Sequence, residues 1–374
     1  AIEMDSSYVR AWHGRGIILK HNGNHNEAII CFDKILEIDG RNIPALGDRA
    51  EILLLSGKYE EALSCYDRAL DITSDHNVIS TIWFRKGYIF ERYGKYEEAI
   101  LCYNKAVEID EKNMFAWNSK VTLLYNQKKY NEAVIGCDRA IEIYPDCVFA
   151  YLTRGLAMYE TGIYEEALSS FDRVLEMEPS NNSAWNYRLQ AMVMVATELD
   201  KKGRYSESIE YYDKVLAINP ENVHAWLNRG QSLFLQGKYD DAIECCYKAI
   251  DIDPFYSTGR NNLGYYLYRA GKYDEASVNI DKAIELDPGN SDAWDSKGEL
   301  LLSVGKYDEA LLCYDKVLAM NAESAGSWCG KGHALKGQEQ YEKALECYER
   351  ALKIDPYCVE AFKAKSNLIK GKKI

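Results

Sequence analysis

Six histidines, eleven cysteines and a short run of acids are the groups in this 374-residue chain with reactive or ligating character. The histidines are His13, His21, His25, His76, His224 and His333, and they form neither an HExxH pair nor another dense ligand set. Cys329 and His333 lie four residues apart, on one helix face, with the spacing of a nucleophile and its base or of two metal ligands. No orienting third residue stands near them in sequence, so the pair reads as two variable surface positions. Gly330, Gly332 and Gly337 follow no strand and make no phosphate loop. Asn181-Asn182-Ser183 fits a glycosylation acceptor, but the rest of the chain reads as intracellular. No CxxC pair occurs, so a zinc module is not expected. Asp292, Asp295 and Glu299 fall at i, i+3 and i+7, where three carboxylates repel one another. They read either as solvated surface or as the seat of a Lys or Arg. No catalytic, cofactor or metal residue is assigned.

The elements that must position these groups come from a repeat. Gly305 to Ala310 reads GKYDEA, Gly57 to Ala62 and Gly94 to Ala99 read GKYEEA, and close copies start at Gly162, Gly237 and Gly271. Ala310, Tyr314 and Val317 recur at i, i+4 and i+7, as do Trp294, Gly298 and Leu301 upstream. Each unit is therefore two amphipathic helices joined by a glycine turn. The small residues Gly298 and Ala310 let the two backbones approach closely. Neither helix can bury its stripe alone, so stacked neighbours must do it.

This pattern resembles the tetratricopeptide repeat (TPR) family: a large residue, Gly four later, Tyr and Ala at the turn, an aromatic, Ala, and a closing Pro. The resemblance implies an all-α, right-handed superhelical solenoid of helix-turn-helix repeats. Ten repeats start near residues 9, 43, 80, 114, 148, 182, 223, 257, 291 and 325. Residues 1–8 read as the tail of a preceding repeat that packs on the first helix, 9–358 as the array, and 359–374 as a C-terminal capping helix. Three extra residues before Trp83 are expected in a longer turn between units. In the sixth repeat the stretch from Trp185 to Gly203 is longer than the matching stretch of the ninth, Trp294 to Gly305, and Ala184 to Lys201 holds no Gly or Pro. The excess, about seven residues, is close to two helical turns. It predicts a lengthened first helix, with Met192, Met194 and Val195 as added packing surface, and a joint at 182–222.

Eight of the cysteines, including Cys65, Cys102, Cys245 and Cys313, recur in or next to one slot of the second helix. Equivalent slots in stacked helices are about 10 Å apart, too far for a disulfide, so these read as small buried hydrophobes. The net charge of −13 argues against a general nucleic-acid footprint. No apolar run is long enough for a membrane span, no signal peptide pattern is visible, and a cytoplasmic location is expected.

Function must then lie on a face the core stripe leaves free. In the TPR family, positions two, five, nine and twelve of each first helix line a concave groove for extended peptides or partner helices. Carried onto this chain, that face offers Phe84, Tyr88, Phe115, Asn118, Tyr125, Phe149, Tyr159 and Asn186, then Asn261, Tyr265, Asp295 and Glu299, with Asn228 and Asn262 at the adjacent position six. No repeat has Lys at position five, so the C-terminal-carboxylate clamp of some TPR domains is not expected. The reading is a non-catalytic scaffold that binds a protein or extended peptide, without nucleic acid, membrane or cofactor. A second reading is a regulatory or substrate-recruiting segment of a larger enzyme. A third is self-association through the groove.

Overall fold

The computed structural model describes residues 2–371. They form twenty-one helices and no strand. First and second helices alternate: α1 (Ile2–His21) and α2 (His25–Ile38), α3 (Ile43–Leu55) and α4 (Tyr59–Ile72), α5 (His76–Arg92) and α6 (Tyr96–Ile109), α7 (Met114–Asn126) and α8 (Tyr130–Ile143), α9 (Val148–Glu160) and α10 (Tyr164–Met177). Then come α11 (Asn182–Lys201) and α12 (Tyr205–Ile218), α13 (Val223–Leu235) and α14 (Tyr239–Ile252), α15 (Ser257–Arg269) and α16 (Tyr273–Leu286), α17 (Ser291–Ser303) and α18 (Tyr307–Met320), α19 (Ala325–Gly337) and α20 (Tyr341–Ile354), and last α21 (Val359–Gly371). The chain divides into two compact units, Ala1–Ala191 and Met192–Ile374, with the division inside α11. Each is an α-solenoid: successive helices from α1 to α10 in the first and from α12 to α21 in the second pack on one another, and first helices touch first helices, as α7 touches α9 and α15 touches α17.

The turn chemistry explains the boundaries. Nine second helices open on the repeat's tyrosine, and α2 opens on His25. The glycine two residues earlier holds the left-handed conformation that stops the first helix, as at Gly305 (φ 79°). Two turns make the same bend without glycine, at Lys128 (φ 58°) and Glu339 (φ 62°). First helices open differently. Asn42, Asn113, Asn222 and Asn290 each accept a hydrogen bond from the backbone N–H three residues on.

Packing depends on a missing side chain. A Cβ on Gly87, Gly155, Gly298 or Gly332 would sit 2.6–2.9 Å from the ring of Tyr103, Phe171, Tyr314 or Tyr348, each on the second helix of the same repeat. Those four rings are fully buried. The tryptophans act at the rim. Trp117, Trp185, Trp226, Trp294 and Trp328 each donate from Nε1 to the carbonyl six residues earlier, at 2.9–3.0 Å. Trp117 is buried, whereas Trp226 and Trp294 are half-buried with the same bond.

Three sequence expectations meet particular outcomes. Helix α11 has 20 residues against 13 in α9 and α13, and Met192, Val195 and Leu199 on its added turns are buried, with Met194 half-buried. The extra residues before Trp83 do not lengthen a turn. They extend α5 to 17 residues, where the Asp75 carboxylate caps the backbone N–H groups of Asn77 and Val78. At the start, residues 2–8 run without a break into α1. The expected tail is thus part of the first helix and not a separate helix packed on it. Asp5-Ser6-Ser7 lacks the breakers of Asp287-Pro288-Gly289-Asn290, which part α16 from α17. Ala1, Lys372 and Lys373 lie outside the described residues. The described part of α21 buries Ala361, Ala364 and Leu368 against repeat ten. No described helix is long and apolar enough to cross a membrane.

Gly298→Ala is expected to cost about 1–3 kcal/mol through overpacking against Tyr314, whereas Gly47→Ala, which meets nothing within 4 Å, should cost far less. Lys128→Gly should stabilise by up to about 1 kcal/mol by relieving a left-handed non-glycine. Urea denaturation of the three variants measures both.

Candidate binding cleft

The first-helix face of the N-terminal unit is partly committed to packing. Phe84 is half-buried, with its ring 6.1 Å from both Tyr103 and Phe115. Tyr125 packs on the turn residue Tyr130 at 5.5 Å, and Tyr159 on Tyr164 at 5.4 Å and Tyr187 at 5.8 Å. These three rings fix the turn and the neighbouring helix. Tyr88, Phe149 and Asn186 are exposed, and Phe115 is 73 % exposed. Asn118 turns its Oδ1 into a buried position with no hydrogen-bond partner.

In the C-terminal unit the predicted residues converge. Asn261, Asn262, Tyr265, Asp295 and Glu299 line one cleft of about 400 Å³ between α15 and α17. Tyr265, Asp295 and Glu299 also line a second of about 440 Å³, together with Tyr268, Arg269, Tyr314, His333 and Glu360. Asn228 stands apart, beside the Tyr212 hydroxyl. Asp295 and Glu299 are half-buried, while Asp292 is exposed. The carboxylates at 295 and 299 are therefore not merely solvated surface, because α19 and α21 close over them.

The electrostatics follow from that enclosure. Burial raises the Asp295 carboxyl; a 2.7 Å hydrogen bond from Ser327 Oγ opposes the rise, and Asp292 adds to it. Burial, then the charges of Asp295 and Glu360, push Glu299 up to about 7. Arg269 on the rim pulls the other way. It is committed elsewhere, donating to Tyr265 Oη at 3.1 Å and lying 5.6 Å from the Phe234 ring centre. The Tyr314 hydroxyl completes the wall. The residue is 1 % exposed and its oxygen has no hydrogen-bond partner. Its ring passes between Gly298 of α17 and Gly330 of α19, and a Cβ on either would strike it. Asn261 adds a second unpartnered buried oxygen, Oδ1, at 6 % exposure. The cleft thus presents concentrated negative charge, an aromatic side and two unsatisfied polar groups.

Next to it, Cys329 is fully buried instead of lying on the surface as its sequence position promised. Its Sγ is 3.5 Å from His333 Nε2. The third residue missing from the local sequence comes from α21: Glu360 Oε1 is 3.3 Å from the same nitrogen. Tyr348 Oη of α20 sits 3.1 Å from His333 Nδ1. Burial pushes the Cys329 thiol up to about 12 and holds His333 below the usual histidine range, against the pull of Glu360. The other repeat-slot cysteines are buried as expected, and all eleven are free thiols. Two of them are not plain hydrophobes: Arg49 and Arg229 donate to Cys65 and Cys245 Sγ at 3.0 and 3.1 Å.

Family models described as tetratricopeptide repeat match residues 9–42, 42–112, 194–257, 258–290, 279–311 and 325–358, well over half of the chain. The chain belongs to the tetratricopeptide repeat family. The protein prenyltransferase alpha subunit repeat also matches, at residues 164–194; this is one helical repeat and shows no enzymatic activity. No curated protein matches the sequence. Among solved structures, yeast Tom70 is similar over 98 % of this chain and 89 % of its own, at 16 % identity and a TM-score of 0.46. Cut9 in the APC/C hetero-tetramer Cut9–Hcn1 covers 98 % and 90 %, at 15 % and 0.47. YrrB, described as a TPR protein with an unusual peptide-binding site, covers 53 % and 99 %, at 22 % and 0.39.

In this TPR array, sequence reasoning missed Tyr314, Gly330, His333 and Glu360 as neighbours of Asp295 and Glu299. Tyr314 sits at a core position of the repeat and Gly330 carries no side chain, and nothing in a single repeat shows that a ring crosses into the cleft. A pH test follows. The folded Glu299 carboxyl lies above its ordinary value of 4.5, so folding favours its protonated form. That contribution is complete below about 4.5 and is lost as pH rises to about 7. The TPR array should melt at a lower temperature at pH 8 than at pH 5, and Glu299→Gln should remove much of the difference. Circular-dichroism melts at the two pH values measure it.

Proposed function

We propose that this TPR protein is a non-catalytic scaffold that binds an extended segment of a protein partner on its first-helix faces, with a Lys or Arg of that segment seated in the C-terminal cleft. The single observation behind this reading is the Asp295–Glu299 pair. Burial raises the proton affinity of both carboxylates, one helical turn apart, and the charges of Asp295 and Glu360 raise that of Glu299 further, which costs stability while the site lacks a cation. An entering ammonium or guanidinium reverses that cost and supplies a donor to the Tyr314 hydroxyl. Tyr265 and Tyr268 flank the stem of such a side chain with aromatic surface. Asn262 on the same wall offers both a donor and an acceptor to an extended backbone. In the N-terminal unit, the exposed Tyr88, Phe115 and Phe149 offer apolar contact area.

Selection of a random peptide display library on the purified chain tests the reading. Enriched peptides should carry a Lys or Arg at a fixed position. Asp295→Asn with Glu299→Gln should weaken them about tenfold or more at low salt and flatten the salt dependence, since such contacts are screened over about 10 Å at 0.1 M. Affinity for the wild type should rise from pH 5 to pH 8 as Glu299 gives up its proton. Enriched peptides without a basic residue, or peptides indifferent to the double substitution, would show that the cleft is not the seat of a cationic side chain.

A further inference from the structure

The Cys329, His333 and Glu360 donor atoms all lie within 4.8 Å of one another. Their convergence on one nitrogen separates a ligand set from a catalytic relay. In a relay the acid holds the imidazole nitrogen that faces away from the nucleophile. Here that far nitrogen, Nδ1, faces the Tyr348 hydroxyl, and thiol and carboxylate share Nε2. This is how a metal-ligating histidine is built: one nitrogen toward the ion, the other fixed by an outer partner. The two distances to the histidine nitrogen agree, and the thiol–carboxylate pair, within 4.8 Å, closes on an ion by rotation of the exposed Glu360 side chain. Zinc bonds of about 2.3 Å to sulfur and about 2.0 Å to nitrogen and oxygen, at tetrahedral angles, put sulfur and nitrogen about 3.5 Å apart and nitrogen and oxygen about 3.3 Å apart. The structure has 3.5 Å and 3.3 Å.

We propose that Cys329, His333 and Glu360 bind a divalent ion of zinc's class, and that the ion clips α21 onto α19. One thiolate, one imidazole and one carboxylate form a borderline-soft set that suits Zn²⁺ over Mg²⁺ or Ca²⁺. Cys358, the residue before α21, stands beside the Cys329 thiol, outside the set of three converging donors. Two donors sit on α19 and one on α21, while α20 orients the histidine, so the ion joins the three helices. Uptake exchanges the thiol proton for the ion. His333 and Glu360 also line the second cleft, but the proposal does not require the peptide-binding reading, because Asp295 and Glu299 are not among the donors.

The test is a Co²⁺ titration of the reduced, chelator-treated full chain. One Co²⁺ per chain should bind with the near-ultraviolet absorption of a cobalt–thiolate bond, and Zn²⁺ should displace it. Cys329→Ser should lose the absorption, and His333→Gln should weaken binding about tenfold or more. Glu360→Gln, at an exposed position that leaves the core intact, should weaken it measurably, and Asp295→Asn with Glu299→Gln should leave it in place. Zn²⁺ should raise the melting temperature of the wild type but not of Cys329→Ser. No thiolate absorption at millimolar Co²⁺, or equal absorption in Cys329→Ser, overturns the proposal. Fast alkylation of Cys329 by iodoacetamide that Zn²⁺ does not slow also overturns it, since that marks a reactive thiol and not a ligand.

Discussion

The close approach of two helices over a glycine is the constraint on which the rest of this structure depends. In each of the repeats at Gly87, Gly155, Gly298 and Gly332, a ring of the following helix lies where a Cβ would be. The ring is fully buried because the first helix has nothing at that point to hold it off. Gly264 makes the same accommodation for Ile280, and Gly16 for Phe32. Helix spacing, ring burial and the tilt of one helix on the next are therefore one decision, repeated. A helix as short as α17 is marginal alone, and here its stability comes from stacking.

A second device locks neighbouring repeats. The basic residue three positions after the tryptophan slot reaches back to an acid on the previous second helix: Arg49 to Asp33, Arg154 to Asp138, Arg229 to Asp213 and Lys297 to Asp281. Several of these arginines also reach forward to the second helix of their own repeat, Arg49 and Arg229 to a cysteine and Arg154 to Ser170. One side chain thus joins three helices, and its guanidinium lies over the half-buried indole, as Arg229 lies 5.9 Å from the Trp226 ring centre. Half-buried pairs of this kind set register more than they add energy.

The cleft in the C-terminal unit arises where this machinery is used twice. Tyr314 fills the gap at Gly298 in its own repeat and also the gap at Gly330 in the next. Its hydroxyl therefore emerges between two first helices instead of ending in the core. Asp295 and Glu299 occupy the face beside it, and the last helix brings Glu360 to the same place. The charge density that raises Glu299 is a product of stacking three repeats and one terminal helix, and no single repeat contains it.

The periodic part of this protein was written in its sequence. The GKYDEA turns, the tyrosines at second-helix starts and the helix-compatible residues of 195–201 specify where helices begin, end and lengthen, because these depend on backbone preference within one turn. The grouping of Asn261, Tyr265, Asp295 and Glu299 was legible for the same reason: residues at fixed positions of successive first helices share a face. Tertiary structure decided what long-range contact decides. It assigned Phe84, Tyr125 and Tyr159 to packing, since a ring on a free face and a ring on a turn tyrosine have the same spacing. It buried Cys329 and supplied His333 with partners from two later helices, Tyr348 of α20 and Glu360 of α21. Sequence distance measures chain length, and ligation and desolvation depend on distance through space, which is set only when the helices stack.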